Sequence, residues 1–124
     1  MQNIETAFIL SAVSEVIINN KIKESKQIKT NKLIIENIIK ILKKKNVKNI
    51  VYFNSSSVYS SINKKPFSES QKLKPTISLG KSKLYGERKL SKFCKTKGIN
   101  FISLRIFTVY GPGMGKHQFI YQAI

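Results

Sequence analysis

Short apolar runs alternate along this chain with longer polar or amphipathic segments. The run Thr6–Ser11 predicts a buried strand, and the polar segment Asn19–Lys29 predicts a loop. Thr30 or Asn31 can cap the next element, an Ile- and Leu-rich segment that predicts a helix ending at about Lys45. Its apolar residues surround more than one face, so we expect two partners, a sheet on one side and another subunit on the other.

The second half of the chain continues the alternation. Asn49–Phe53 predicts another buried strand, and the polar segment Ser60–Lys74 predicts a loop. Pro75 suits the first turn of a helix that we expect to reach about Lys97, where Gly98 is a stop signal.

A third apolar run, Asn100–Ile106, predicts the last strand and precedes a loop rich in Gly and Pro. Strands that alternate with helices are typical of parallel crossover units, so the predicted class is α/β, a three-stranded parallel sheet with flanking helices. With 124 residues, 41% of them hydrophobic, the chain can form one modest core, and residues 1–124 are predicted to be a single domain.

The net charge of +17 raises the question of nucleic-acid binding. All basic residues except Arg88 and Arg105 are lysine, they are spread through Ile- and Asn-rich segments, and they do not alternate with aromatic residues that could stack bases. The densest run, Lys43–Lys45, lies at the end of a predicted helix, where cations are favoured. We expect no specific nucleic-acid partner.

Cysteine content and hydropathy indicate the compartment. A single cysteine, Cys94, excludes a disulfide framework within the chain and fits a reducing environment. The only charged residue before the N-terminal apolar run Ala7–Val13 is the acidic Glu5, whereas secretory signals begin with basic residues. No apolar run approaches the roughly 20 residues that span a bilayer. We expect a soluble cytoplasmic protein with no membrane partner.

Three motifs occur in a characteristic order: Val51–Ser60 (VYFNSSSVYS), Pro75–Glu87 (PTISLGKSKLYGE) and Leu104–Gly113 (LRIFTVYGPG). Together they resemble the NAD-dependent epimerase/dehydratase family, the extended short-chain dehydrogenases. The resemblance implies a partial Rossmann fold, the second half of a doubly wound sheet, with NAD as cofactor and a nucleotide-sugar as substrate. It also implies hydride transfer to or from NAD, assisted by a tyrosine, a lysine and a serine.

One catalytic position departs from the family pattern. Ser55 matches the catalytic serine and Lys83 matches the catalytic lysine, but Leu79 stands where the family has its tyrosine. Leu79 and Lys83 are four residues apart and would share one face of a helix. Leucine cannot ionise or donate a proton, so the resemblance implies a site that lacks its acid/base group.

The resemblance also assigns residues around the cofactor and the substrate. The positions implied to lie near NAD are Leu10, Ser11, Ala12, Asn31, Lys83, Phe107 and Val109, and those near the substrate are Ser55, Ser56 and Thr108. In the family, Asn31 corresponds to a residue that braces the catalytic site, and asparagine is more common than threonine at Thr108.

A second tyrosine-lysine pair, Tyr85 and Lys89, also has the spacing Tyr-x-x-x-Lys. A shift of six residues turns a helix by about 240°, so this pair would face away from Leu79 and Lys83. The surrounding residues match the first register much better, but the second register remains an alternative.

Two other motifs carry weaker hypotheses. Gly111–Lys116 (GPGMGK) partly resembles a phosphate-binding loop, but it lacks the first glycine, and His117 follows where a Ser or Thr should stand. His117 is the only histidine and has no clustered ligand partners, so we predict no metal site.

No glycine-rich phosphate-binding turn precedes Gly80, and the chain resembles the middle of a family member, without the N-terminal glycine-rich portion or the C-terminal substrate domain. We therefore predict an epimerase/dehydratase-type protein that acts on a nucleotide-sugar and is impaired in this chain. The alternative is a noncatalytic remnant or binding subunit that pairs with an intact relative. Pairing, as a homodimer or otherwise, is expected through helices 31–45 and 76–97. A second alternative is a basic nucleic-acid-binding protein.

Overall fold

Three parallel strands form one sheet in the order β1-β2-β3, as the computed structural model shows for residues 4–17, 19–59, 66–116 and 119–123. The elements are β1 Thr6–Ile9, α1 Lys21–Leu42, β2 Asn49–Ser55, a 3-10 turn at Ser56–Val58, α2 Ser78–Lys97, β3 Asn100–Ile106 and α3 Phe119–Ala123. The predicted α/β class and three-stranded parallel sheet are confirmed, and the arrangement matches part of a Rossmann-like fold.

Helix α1 begins much earlier than the apolar pattern predicts. The segment Asn19–Lys29 was expected to be a loop, but the helix begins at Lys21 and Asn20 caps it, with Asn20 Oδ1 accepting a hydrogen bond from Lys23 N at 3.0 Å. The first turns bury a polar residue, Gln27, through hydrogen bonds rather than through apolar contact. A search for apolar periodicity therefore misses them. The helix ends at Leu42, so Lys43–Lys45 follow it.

Helix α2 begins at Ser78, three residues later than the prediction based on Pro75. Ile77 precedes it in an extended conformation, with φ −92° and ψ 158°, and provides no side-chain cap. The predicted stop is confirmed, since Gly98 adopts a left-handed conformation with φ 66° and its N–H bonds to the Cys94 carbonyl.

Both long helices cover the same face of the sheet. The core on that face contains Ile35 and Leu42 of α1, Leu90 of α2, and Ile50 and Tyr52 of β2. The pattern of burial along β2 alternates residue by residue, which is the signature of a strand with one covered face.

The opposite face of the sheet is bare within the described part of the chain. Phe8, Val51 and Ile102 are paired in register across the three strands and point to this face. Phe8 is 62% exposed and Ile102 is 56% exposed. Parallel sheets are normally covered on both faces, so this apolar row lacks the layer that such a sheet usually has.

A polar network fixes α2 to the two strands beneath it. Glu87 accepts hydrogen bonds from Arg105 Nη2 and Ser103 Oγ, each at 2.8 Å, and from Asn54 Nδ2. Burial alone would raise the pKa of Glu87, but these hydrogen bonds and the charge of Arg105 hold it below its ordinary value. The carboxylate therefore links β2, β3 and α2 in its ionised form.

Candidate functional site

The carboxyl ends of the three parallel strands lie at one edge of the sheet, where ligands bind in open α/β folds. Ser11 follows β1, Ser55 ends β2, and Phe107 and Thr108 follow β3. Ser11, Phe107 and Thr108 are exposed, as are the neighbouring predicted positions Leu10 and Val109, whereas Ala12 is half-buried. The fold thus brings these segments to one edge, and their contacts with a ligand stay predictions.

A serine turn forms the central part of this edge. Ser55 Oγ accepts hydrogen bonds from Ser57 N at 3.1 Å and from Ser57 Oγ at 2.9 Å. The Ser55 N–H donates to Asn54 Oδ1 at 2.8 Å, which fixes the backbone where the strand ends. Because Ser55 Oγ accepts both bonds, its hydroxyl proton is the group it can offer to a ligand. Ser56 belongs to the same turn and is half-buried.

Helix α2 approaches the serine turn through Gly80. A Cβ atom at Gly80 would collide with the Ser57 carbonyl oxygen and lie 2.9 Å from Pro75 Cβ. Only glycine permits this close approach of two backbones. The approach sets the first turn of α2, including Leu79, beside the serines that end β2. Leu79 is 7% exposed, and its side chain has no polar atom.

Lys83 lies one helical turn after Leu79 and reaches the same strand. Its Nζ donates a hydrogen bond to the Phe53 carbonyl oxygen at 2.7 Å and lies 5.2 Å from the centroid of the Tyr52 ring. Burial lowers the pKa of Lys83, because the ammonium loses hydration without gaining a carboxylate partner among the described residues. The structure therefore brings Lys83 to the strand that Ser55 ends, and Leu79 lies one helical turn before Lys83 on α2.

Asn31 connects the segment after β1 to helix α2. Its Oδ1 accepts a hydrogen bond from Val13 N at 2.8 Å, and its Nδ2 donates to Val13 O at 3.1 Å and to Ser82 Oγ at 2.9 Å. Ser82 Oγ in turn donates to the Leu79 carbonyl at 2.9 Å. Because the polar atoms of Asn31 already bond to protein groups, the geometry supports a bracing role more than direct contact with a ligand.

A second brace, Gln27, was missed by the sequence reasoning. Its Nε2 donates to the carbonyls of Val13 at 3.1 Å and Glu15 at 2.7 Å, and its Oε1 accepts from Ser78 Oγ at 2.5 Å. Gln27 and Asn31 are four residues apart and share one face of α1. Had Asn20 been identified as the helix cap, this polar pair would have been visible in the sequence.

The alternative pair, Tyr85 and Lys89, lies on a different surface. Tyr85 Oη donates to Glu36 Oε1 at 2.7 Å, and the Nζ atoms of Lys32 and Lys89 lie 4.9 and 5.5 Å from the centroid of its ring. The hydrogen bond to Glu36 raises the pKa of Tyr85, the opposite of what a catalytic tyrosine needs. Tyr85 thus contacts α1, and the second register does not meet the serine turn.

A cavity of about 700 Å³ lies beside the free edge of β3 and was not anticipated from the sequence. Its lining includes Tyr59, Phe67, Arg105 and Phe107. The rings of Tyr59 and Phe67 are stacked, with centroids 5.0 Å apart, and Arg105 Nη1 donates to Tyr59 Oη at 3.2 Å. Phe107 therefore has aromatic neighbours, in addition to its predicted place near NAD.

The remaining motifs bear on metals and membranes. Gly111–Lys116 forms an exposed to half-buried loop, and His117 lies outside the described residues. Within the described ranges, no group of three or more His, Cys, Asp or Glu residues could hold a metal ion. The same ranges contain no helix that is long and apolar enough to cross a membrane.

Comparison with protein families gives one match that spans the chain. The model of the NAD dependent epimerase/dehydratase family matches residues 1–124. An uncharacterized protein of Methanocaldococcus jannaschii is 38% identical over 97 residues, which are 74% of this chain and 30% of that protein. An uncharacterized UDP-glucose epimerase of Bacillus subtilis, YtcB, is 32% identical over 92 residues, which are 71% of this chain and 29% of that protein. The chain spans about 30% of the length of these curated relatives.

Solved structures share the fold. The UDP-glucuronic acid 4-epimerase of Bacillus cereus in complex with NAD has a TM-score of 0.81 at 23% identity, covering 95% of this chain and 37% of that one. MoeE5 in complex with UDP-glucose and NAD has a TM-score of 0.80 at 28% identity, covering 95% of this chain and 40% of that one.

Proposed function

Because the chain belongs to the NAD dependent epimerase/dehydratase family, we propose that it is a nucleotide-sugar epimerase/dehydratase-type protein whose proton-transfer step is impaired. The observation that carries the proposal is Leu79, which is 7% exposed beside the serine turn and one helical turn before Lys83. The family's chemistry needs a hydroxyl that can exchange a proton with the sugar at this point. An alkyl side chain cannot do so.

The residues that remain support binding and orientation. Ser55, with its hydroxyl proton available, would donate to the reacting sugar oxygen. Ser56 and Thr108 would contribute further contacts to the substrate. Lys83 keeps a buried amine at the end of β2. In this proposal these groups hold a ligand, and Leu79, in the tyrosine position, cannot transfer the proton.

NAD fits this edge in part. Lys83 and the serine turn could bind the hydroxyl groups of a ribose and the amide group of a nicotinamide. The segments Leu10–Ala12 and Phe107–Val109 lie at the ends of the neighbouring strands. No glycine precedes Gly80 in the sequence, so the pyrophosphate would be held by groups other than a glycine-rich turn before α2. NAD, when bound, supplies the hydride acceptor of this chemistry.

The proposal extends to class and location. The reaction class is that of the family's isomerases and lyases, with a nucleotide-sugar as substrate, and residues 1–124 are treated as one partial domain of such an enzyme. The cavity beside β3, with its stacked rings, could take part of a nucleotide-sugar. Cys94 is buried and has no disulfide partner, which supports a reducing, cytoplasmic location.

A restoration experiment tests the proposal. The chain, a Leu79→Tyr variant and a Leu79→Phe variant would be titrated with NAD by calorimetry and then incubated with UDP-glucose at a protein concentration equal to that of NAD. The absorbance of protein-bound NADH is followed, because this reaction class returns the hydride to the sugar and releases no NADH. We expect NADH formation only with Leu79→Tyr, because Leu79→Phe has the ring without the hydroxyl. NADH formation by the unchanged chain at the same rate as Leu79→Tyr would contradict the proposal, and so would the absence of NAD binding to all three proteins.

The second candidate function is a noncatalytic subunit that pairs with an intact relative. The bare row of Phe8, Val51 and Ile102 favours it, because a parallel sheet normally packs a layer on both faces. Pairing through α1 and α2 belongs to the same proposal. Co-purification with an intact family member, at a fixed stoichiometry and without any gain in its activity from Leu79→Tyr, would separate this role from the first.

A further inference from the structure

The edge of the sheet at which the strands begin, opposite the serine turn, carries unpaired positive charge. Thr6, Asn49 and Asn100 are paired in register there, so all three strands start at one level. Helices α1 and α2 run back from the carboxyl ends of the strands and end at this level. Five exposed lysines in the last turn of α2 and directly after α1 are called the amino-edge lysines: Lys43, Lys44, Lys45, Lys95 and Lys97.

The carboxylates of the described residues do not balance these lysines. Glu5 lies at the same edge, but it is paired with Lys48, with Oε1 and Nζ 2.6 Å apart. Glu36 and Glu87 are the last acidic residues of α1 and α2, and each precedes the nearest amino-edge lysine by seven or more residues. That spacing is roughly 10 Å or more along a helix axis. It equals about one Debye length at 0.1 M salt, so solvent ions screen most of the attraction.

The helix dipoles offset only a small part of the charge. Each helix carries the equivalent of roughly half a negative charge at its C-terminus, so the two ends together balance about one of the five lysines. The remaining cations face solvent around the start of the sheet. This concentration is a property of the fold, because the net charge of +17 does not indicate where the lysines are left unpaired.

We propose that the amino-edge lysines bind the phosphate backbone of a double-stranded nucleic acid without regard to sequence. Lysine contacts a phosphate as a point charge, whereas arginine can read guanine through two parallel hydrogen bonds. The two arginines lie elsewhere, with Arg88 in the middle of α2 and Arg105 paired with Glu87. The proposal therefore agrees with the expectation of no specific nucleic-acid partner. It does not rest on the proposed function, whose residues lie at the opposite edge.

The neighbouring side chains favour a duplex over a single strand or a lipid surface. Single strands are bound through exposed aromatic rings, but Phe93 and Phe101, the aromatic residues near this edge, belong to the core or pack against it. Helices on a membrane surface lie flat, with an apolar stripe in the lipid. Here α1 and α2 meet the edge end-on, and the exposed Ile4 and Ile41 are isolated side chains that form no such stripe.

Titration of the full chain into a fluorescein-labelled duplex of about 20 base pairs tests the proposal, with anisotropy read from roughly 50 to 200 mM salt. The edge variant replaces three amino-edge lysines: Lys43→Gln, Lys44→Gln and Lys45→Gln. The matched control removes the same charge from exposed positions near the other end of α1: Lys21→Gln, Lys23→Gln and Lys26→Gln. Circular dichroism checks that both variants keep their helices.

We expect the affinity of the native chain to fall steeply with salt. The edge variant should lose roughly tenfold or more in affinity at the lowest salt, and its slope of log K against log salt should be shallower by about 2 to 3, since each phosphate contact contributes about 0.9. The control variant should stay within about threefold of the native chain. Equal losses in the two variants would reduce the effect to net charge and overturn the proposal.

Three other results would also overturn it. One is tighter binding of a single-stranded oligothymidylate than of the duplex. Another is binding to vesicles of phosphatidylcholine and phosphatidylserine, lost in the edge variant, without binding to the duplex. The third is a preference of more than about tenfold between duplexes of unrelated sequence. Saturating NAD should leave the duplex affinity unchanged, because NAD is expected at the opposite edge, and competition would contradict the proposal. Failure of NAD binding would count against the proposed function and leave the duplex result intact.

Discussion

The side-chain amide of Asn31 donates a hydrogen bond to Ser82 Oγ at 2.9 Å and thereby connects α1 to α2 one residue before Lys83. Asn31 is 4% exposed and also bonds to both backbone polar groups of Val13. We expect Asn31→Ala to lower the free energy of unfolding by about 2 kcal/mol, because it leaves buried polar groups without partners. Urea unfolding measures the loss, and Asn37→Ala, at an exposed position of the same helix, is the control. An equal, small change in both variants would contradict the bracing role.

Gly80 allows α2 to approach the serine turn. We expect Gly80→Ala to lower the free energy of unfolding by roughly 1 to 3 kcal/mol, since the added Cβ meets the Ser57 carbonyl and the Pro75 side chain. Lys81→Ala, at the next and exposed position of the helix, should change stability little. The comparison uses the midpoint of urea unfolding. A fully stable Gly80→Ala variant would show that the two backbones are farther apart than described.

Glu87 should make the fold sensitive to acid. Its pKa is lower in the folded chain than in the unfolded chain, so its contribution to stability is present above the unfolded value and is lost as pH falls through the folded value. We expect Glu87→Gln to be less stable by about 2 kcal/mol at neutral pH and to lose less stability than the native chain below about pH 4.5. Unfolding by urea at a series of pH values measures both effects.

The control for Glu87 is Glu5, whose ion pair with Lys48 is 65% exposed on each side chain. Exposed ion pairs contribute little, so Glu5→Gln should follow the native acid profile. Similar profiles for Glu87→Gln and Glu5→Gln would mean that the network around Arg105 does not stabilise the fold.

Lys83 should give a pH dependence of the same sign, but in the alkaline range. Its pKa is lower in the folded chain, so the unfolded chain holds the proton more tightly between the folded value and the ordinary value of 10.5. Native stability relative to a Lys83→Met variant should therefore rise as pH increases toward 10.5. Other groups contribute to both proteins and cancel in the difference. Urea unfolding from neutral pH upward tests this, and a difference that does not vary with pH would contradict the burial of the amine.

The bare sheet face should cause self-association. Phe8 and Ile102 lie at the two ends of the apolar row that Val51 joins. We expect Phe8→Thr with Ile102→Thr to reduce the binding of a hydrophobic dye and the apparent mass in sedimentation, with little loss of stability, because threonine keeps a strong preference for strands. Ile50→Thr, which replaces a residue on the covered face, should instead cost at least about 2 kcal/mol.

The sequence was sufficient to predict three strands in order and the end of α2, although β1 ends two residues earlier and β2 two residues later than predicted. Asn100–Ile106 coincides with β3, and Gly98 ends the helix as predicted, because apolar runs and a glycine in the left-handed conformation are local signals. The predicted start of α1 was wrong. Its buried face is made by Gln27 and Asn31, whose partners Val13, Ser78 and Ser82 are distant in sequence. No local pattern of apolar residues reports such long-range hydrogen bonds.

The candidate site shows the same division. The spacing of Leu79 and Lys83 on one helix could be predicted from the motif. The close approach at Gly80 and the hydrogen bond from Lys83 to the Phe53 carbonyl depend on how α2 packs on β2, and they became visible only in the fold. The hydrogen bond from Tyr85 to Glu36 likewise depends on how α1 packs against α2, so the sequence alone did not predict it.

The position of β2 between β1 and β3 sets the order in which the amides of the sheet should exchange with solvent deuterium. Strand β2 is hydrogen-bonded on both sides, whereas β1 has four residues and one paired edge. Opening of β1 exposes only its own amides, but opening of β2 requires the whole sheet to separate. The amides of β2 should therefore report global unfolding, and those of β1 a smaller local opening. A chain that added itself to the free edge of β1 would abolish that difference.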